Sequence, residues 1–196
     1  MGMTCIGEKQ YGLHCQTEVL ADKIIKSGSL MLNSVIINSL KEISIRGRVA
    51  YGASCLENTL LHHGIQDDLL ENILSRIWKF TNSTDLGEWD QLINKVDPVC
   101  ILDENKPTDP LYLLYQRLPP DIVNMISDVI EIGTGNLYGS TDNYSPSSLE
   151  PLLRVIDKCV TLKIELPKLD SFKKSTFSEY HGWGLERDKS FFLIPI

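Results

Sequence analysis

Apolar side chains recur every three or four residues along most of this chain, and that spacing constrains the fold more than any other feature. On an α-helix, residues spaced in this way share one face and can pack together against a core. The clearest stretch covers residues 46–63 and is followed by Gly64, a residue suited to ending a helix. Its apolar stripe consists of Val49, Ala53, Leu56 and Leu60.

Further helices are predicted where the same spacing follows a capping residue. Residues 17–43 carry one apolar face, and Asp67 or Asp68 can cap a helix through Phe80 that pairs with the preceding helix as an antiparallel hairpin. Thr84 can cap a short helix that Asp97-Pro98 ends. Helices are also expected after Asp109-Pro110, from Pro119-Pro120 to Ile132, and after Ser145 or Ser148.

These patterns together predict a mainly α fold, a single-domain bundle of six to eight helices. The predicted domain spans residues 1–196, with residues 1–16 allowed to be flexible, and ends in an irregular C-terminal segment. Residues 129–132 taken alone also fit a strand, and residues 191–194 fit either a short strand or an apolar strap over the core.

The composition fits one globular domain. The chain has 196 residues, of which 42% are hydrophobic and 23% charged, enough to build a core without metals or crosslinks. Its five cysteines are scattered and form no Cys-x-x-Cys pair, which favours reduced thiols and a cytoplasmic location. No apolar run approaches the length of a membrane span, so no membrane partner is expected.

The acidic balance of the chain bears on its partners. With 26 acidic and 19 basic residues, the net charge is −7. Binding to nucleic acid draws much of its affinity from Lys and Arg on phosphates, so a nucleic-acid partner is disfavoured. A basic protein partner is easier to accommodate.

Two segments rich in glycine and aromatic residues interrupt the helical pattern, at residues 132–139 and 177–184. In the second, Gly182 and Gly184 permit a tight turn. Phe177 and Trp183 can then either plug the core or form an exposed binding surface. Candidate partner-binding residues in the two segments are Asn136, Tyr138, Glu179, His181 and Trp183.

A third candidate binding region is the polar stretch that begins at Asp103 and Glu104. Together with Asp97 and Asp109, these residues form an acidic patch in sequence. Such a patch is either solvated surface or a means of steering a basic partner.

Residues 129–135, VIEIGTG, resemble the first motif of S-adenosylmethionine-dependent methyltransferases. The resemblance implies a strand followed by a cofactor-binding turn at Gly133-Thr134-Gly135, and an enzyme is therefore the alternative function. The chain departs from that motif at Leu137, where the family has a further glycine. The histidines of the chain complete no metal-ligand set, so no metal is expected. The sequence also contains no complete catalytic signature, so no catalytic residue and no cofactor are expected.

Four stretches resemble small helical immunity proteins of bacterial polymorphic-toxin systems. They are residues 48–53 (RVAYGA), 77–81 (IWKFT), 85–89 (DLGEW) and 177–184 (FSEYHGWG). The resemblance implies a cytoplasmic, non-enzymatic protein that binds and occludes a toxin. The expected function is accordingly protein binding, with a basic toxin as the partner.

Overall fold

The computed structural model describes residues 34–194, and over this range the expected mainly α bundle is confirmed. The predictions for residues 1–16, and for the part of the first helical stretch before residue 34, lie outside the described residues. The helices are α1 (Ser34–Lys41), α2 (Ile45–His62), α3 (Asp68–Asn82), α4 (Leu86–Ile93), α5 (Pro98–Glu104), α6 (Pro110–Arg117), α7 (Pro120–Thr134), α8 (Pro146–Thr161) and α9 (Lys189–Leu193).

Helix α2 is the centre of the bundle. Every residue from Ile45 to Leu56 is buried, and α2 packs against α3, α7, α8 and α9. Small side chains allow this close packing: a Cβ on Gly52 would lie 2.7 Å from Cδ1 of Ile132 on α7. The helix ends before Gly64, whose φ of 63° is the left-handed conformation expected of a glycine that terminates a helix.

Several capping predictions are confirmed. Asp67 accepts a hydrogen bond from the Leu69 amide at the start of α3, and Asp109 does the same for the Leu111 amide at the start of α6. Each aspartate satisfies an amide that the helix leaves without a partner.

Three other boundary predictions are wrong. Asp85, not Thr84, caps α4 by accepting from the Glu88 amide. Asp97-Pro98 does not end α4, which stops at Ile93; Asp97 instead caps α5, which places Asp103 and Glu104 in a helical turn. Ser145 precedes α8 but donates its hydroxyl to Asn136 instead of capping the helix.

The segment at residues 129–132 is helical, not a strand. Helix α7 continues to Thr134, and the Gly135 amide donates to the Glu131 carbonyl at 2.9 Å with right-handed backbone angles. Gly133 is therefore inside the helix, which extends two residues beyond the predicted end at Ile132. Its lack of a side chain makes room for Trp89 and Phe80, which lie 2.9 Å and 3.1 Å from a Cβ built there.

The C-terminal part is irregular as expected, and its last element is a short helix. Phe192 on α9 is buried, and the helix packs on α2, so the closing apolar run is a strap over the core and not a strand.

Substitution of Gly133 by alanine tests the close packing of α7. The added methyl group meets two aromatic rings, so we expect the free energy of unfolding to fall by about 1–3 kcal/mol. Gly139→Ala is the control, because a Cβ there has open space, and its effect should stay within about 0.5 kcal/mol. Urea denaturation of both variants measures the difference, and equal stabilities would contradict this packing.

Candidate functional site

The two glycine-rich segments meet on one face of the bundle. We name residues 135–145 loop A and residues 176–184 loop B, and their joint face the paired-loop surface. The Thr141 hydroxyl of loop A donates to the His181 carbonyl of loop B at 2.7 Å. The rings of Tyr144 and Phe177 lie 5.5 Å apart. Although 30 residues separate the two loops in sequence, they form one surface.

The paired-loop surface carries exposed tyrosines. Tyr138 is 82% exposed, Tyr180 64% and Tyr144 43%. The hydroxyl of Tyr138 donates to Asp90 at 2.9 Å, which raises the pKa of Tyr138. Exposed tyrosines are well suited to binding proteins, since they bury a large apolar ring and keep a polar tip. The other tyrosines in residues 34–194 are buried or half-buried: Tyr51, Tyr112 and Tyr115.

Both loops hold left-handed backbone at residues that have side chains. In loop A, Asn143, Tyr144 and Ser145 have φ values of 51°, 60° and 48°, and in loop B Tyr180 and His181 have 43° and 54°. Such conformations are costly outside glycine and persist only when surrounding contacts impose them. They account for five of the seven positive-φ residues other than glycine in the described part of the chain.

Arg48 on α2 supplies the contacts that impose the shape of loop A. Its side chain is fully buried, and its guanidinium donates to the Tyr144 and Ser145 carbonyls at 2.8 and 3.1 Å. It also donates to the Leu40 and Lys41 carbonyls at the end of α1, at 3.1 and 2.9 Å. A single cation thus joins α1, α2 and loop A.

The charge of Arg48 is compensated by carbonyls and an aromatic ring. No salt bridge to Arg48 is present among the described residues, and the guanidinium carbon lies 5.1 Å from the centre of the Phe177 ring in loop B. Burial lowers the pKa of Arg48 to about 9. That value leaves the side chain charged at neutral pH, so its donors stay available to the carbonyls.

Loop B is attached to the start of α2. The Ser44 amide donates to the Ser175 carbonyl at 2.9 Å, and the Phe177 amide donates to the Glu42 carbonyl at 2.7 Å. Gly184, with a φ of 82°, lies against Ser44, because a Cβ there would be 2.4 Å from the serine hydroxyl oxygen. The Trp183 carbonyl accepts from the Arg46 amide at 3.1 Å.

Arg46 connects this region to α3. Its buried guanidinium donates to the Phe80 carbonyl, to the Ser83 carbonyl at 2.9 Å and to Glu186 at 3.1 Å, and burial lowers its pKa. The two arginines of α2 therefore hold the surroundings of the paired-loop surface from opposite sides, since residues two apart on a helix point in different directions.

The predicted binding residues divide into exposed and structural ones. Tyr138 and His181 are exposed, and Glu179 is half-buried. Asn136 is buried, and its side-chain amide donates to the Ser140 carbonyl at 2.5 Å, so it shapes loop A from within. Trp183 is half-buried and packs against the core, with its ring 6.5 Å from that of Phe80.

Asp103 and Glu104 lie apart from these loops in the contacts of the described residues. They form the end of α5, where both are exposed and Glu104 pairs with Lys106 at 2.7 Å. The remaining members of the acidic patch, Asp97 and Asp109, are helix caps. The patch is therefore a set of helix ends and surface charges.

Three residues of this site were not predicted from the sequence: Arg48, Tyr144 and Tyr180. A signal for Arg48 was present, since a charged residue inside an otherwise apolar helical stretch is rarely buried without a specific arrangement of partners. No local signal marks Tyr144, because its position depends on the contact with Arg48, 96 residues earlier in the chain.

The paired-loop surface carries acidic side chains and no lysine or arginine. Residues 135–145 and 176–186 contain three acidic residues, Asp142, Glu179 and Glu186, and no lysine or arginine. The two arginines behind the loops are buried, and of the three carboxylates only Glu186 pairs with one of them, Arg46, among the described residues. Asp142 and Glu179 therefore give the two loops a net negative charge.

The described residues contain no grouping of His, Cys, Asp and Glu suited to a metal ion. Across residues 34–194, no helix has both the length and the apolar character needed to cross a membrane. The strand that the methyltransferase motif requires ahead of Gly133 is replaced by helix α7. The chain matches no protein-family model, and comparisons with curated proteins and with solved structures find no similar protein.

Replacing Arg48 by methionine tests its role in holding loop A. Methionine fills much of the volume but leaves the buried carbonyls without donors, so we expect the free energy of unfolding to fall by about 3 kcal/mol. Arg117→Met is the control, since Arg117 is exposed and its salt bridge among the described residues is with Asp67, and it should cost less than about 1 kcal/mol. Similar losses in the two variants, measured by urea denaturation, would contradict this role.

The shifted pKa of Asp97 predicts how the stability of the protein changes with pH. Burial raises its pKa above the ordinary value of 3.8, although the Val99 amide and Ser127 hydroxyl favour the charged form. A carboxyl whose pKa is higher in the folded protein than in the unfolded chain stabilises the fold less as the pH rises from the unfolded-state pKa to the folded-state pKa. Asp97→Asn keeps the cap but cannot ionise, so it should gain stability relative to the native protein between pH 4 and pH 7. Thermal unfolding across this range checks the trend, and a constant or shrinking difference would contradict it.

Proposed function

We propose that this protein is a non-enzymatic binding module whose paired-loop surface recognises a basic protein. The observation that carries the proposal is the placement of the exposed tyrosines. The three that are exposed within residues 34–194, Tyr138, Tyr144 and Tyr180, all belong to two loops that touch each other. Solvent exposure of several large aromatic side chains on one face is characteristic of a protein-binding surface.

The charge and rigidity of the surface support the same function. Asp142 and Glu179, which form no salt bridge among the described residues, attract a positively charged partner and repel an acidic one. Loops that Arg48 holds in a fixed conformation lose little entropy on binding, which leaves more of the contact energy for affinity.

Within this function, we propose the role of an immunity protein that neutralises a toxin by occlusion. The sequence resemblance of residues 177–184 supports this role, because those residues include most of loop B. Occlusion needs no catalytic group, only a surface that covers the active or entry face of the partner. A cytoplasmic location is part of the proposal and is supported by the odd number and scattered positions of the cysteines.

The decisive experiment compares capture of partners from lysate of the native host by tagged protein and tagged variants. We expect the native protein to retain a basic protein in stoichiometric amount. Tyr138→Ala combined with Tyr180→Ala should weaken that complex about 30-fold or more, as expected when binding hot spots are truncated. Tyr112→Ala is the matched control, because Tyr112 is half-buried on α6 and bonded to Asn105.

Two further measurements test the charge and the role. Raising the salt concentration should weaken the complex, since screening acts on attraction between surface charges. The purified partner should lose its activity when bound to one equivalent of this protein. Equal capture by the double variant would contradict the binding surface, whereas a fully active partner in the complex would contradict the immunity role alone.

A further inference from the structure

Two cysteines face each other in the centre of the bundle. Cys55 on α2 and Cys159 on α8 are both fully buried at the contact between these helices. The two thiols are close enough for each to shift the pKa of the other. The Thr59 hydroxyl links the same two residues, since it donates to the Cys55 carbonyl at 2.8 Å and lies 3.9 Å from the Cys159 sulfur.

The two thiols are not equivalent. The neighbouring Cys55 thiol lowers the pKa of Cys159, burial opposes this effect, and the Thr59 hydroxyl adds to the lowering. Burial and the neighbouring Cys159 thiol raise the pKa of Cys55. Since the thiolate is the nucleophile in oxidation and disulfide exchange, Cys159 is the member of the pair that reacts first.

The segment that follows α8 lies against the part of α2 that carries Cys55. Residues 164–167 lie against α2 beside Cys55, where the Tyr51 hydroxyl donates to the Pro167 carbonyl at 3.2 Å and the Asn58 amide donates to the Glu165 carbonyl at 2.9 Å. Local opening of this segment, without unfolding of the bundle, is the access route that the inference requires. A small oxidant is then able to reach the thiols.

We propose that Cys55 and Cys159 form a peroxide-oxidisable dithiol that closes into a disulfide between α2 and α8. The Cys159 thiolate attacks one oxygen of hydrogen peroxide, which forms an S–O bond, breaks the O–O bond and releases hydroxide. The Cys55 sulfur then attacks the Cys159 sulfenic acid, forming the S–S bond and releasing water. The two protons lost by the thiols end in water, each sulfur is oxidised by one electron, and the peroxide takes up two.

The disulfide would change the stability of the bundle. It joins residues about a hundred positions apart, and a crosslink that closes a loop of this length restricts the unfolded chain strongly. The oxidised protein should therefore unfold at a higher temperature than the reduced protein, and a reductant should reverse the change.

The test uses the full chain with Cys5, Cys15 and Cys100 replaced by serine, so that only the proposed pair remains. Native protein is treated with hydrogen peroxide, remaining thiols are blocked with N-ethylmaleimide, and tryptic peptides are analysed without reduction. We expect residues 49–76 to be linked to residues 159–163, with the loss of two hydrogen atoms. The same chain with Cys55→Ala should give no linked peptide.

The proposal is overturned if both thiols remain open to alkylation after peroxide treatment and unfolding, or if Cys159 proceeds to sulfinic acid without a crosslink. If the serine variants do not fold, peptide mapping of the native chain with all five cysteines provides the same test.

A second variant tests the access route. Asn58→Ala removes one bond from the covering segment and should speed formation of the linked peptide severalfold, whereas Arg117→Met should leave the rate unchanged.

Discussion

The buried guanidinium of Arg48 is the interaction on which the surrounding structure depends. A cation removed from water must recover its lost solvation, and here backbone carbonyls supply it together with the face of the Phe177 ring. The carbonyls at the end of α1 are well suited to this, because the C-terminus of a helix carries partial negative charge. Since those carbonyls come from separate parts of the chain, solvating one charge requires α1, α2 and loop A to adopt a single arrangement.

This arrangement explains how a helical protein presents a defined loop surface. The start of α2 is held on one side by Arg48 and on the other by Arg46, which reaches the end of α3. Loop B closes over the same helix end through main-chain hydrogen bonds at Ser44 and Phe177. With the structural groups turned inward, the side chains left outside, such as Tyr138 and Tyr180, are available for contact with a partner.

Much of the helical framework could be predicted from the sequence, because the relevant signals are local. Asp67 and Asp109 begin helices through bonds to amides two residues ahead, and the spacing of apolar residues identifies the buried face. Prediction was wrong where one signal fits two structures. Asp97-Pro98 can end one helix or begin another, and the apolar run before Gly133 suits a strand until its packing against α2 and α8 is known.

The sequence by itself determined that this protein is a mainly helical bundle, where most helices begin, and that two glycine-rich segments interrupt them. Only the tertiary structure decided that these segments meet, that Asn136 and Trp183 turn inward, and that Tyr144 and Tyr180 turn outward. The physical reason is the range of the interactions. Helix caps and periodicity act over a few residues, whereas the loop conformations depend on a charge whose carbonyl partners lie up to 97 positions away in the chain.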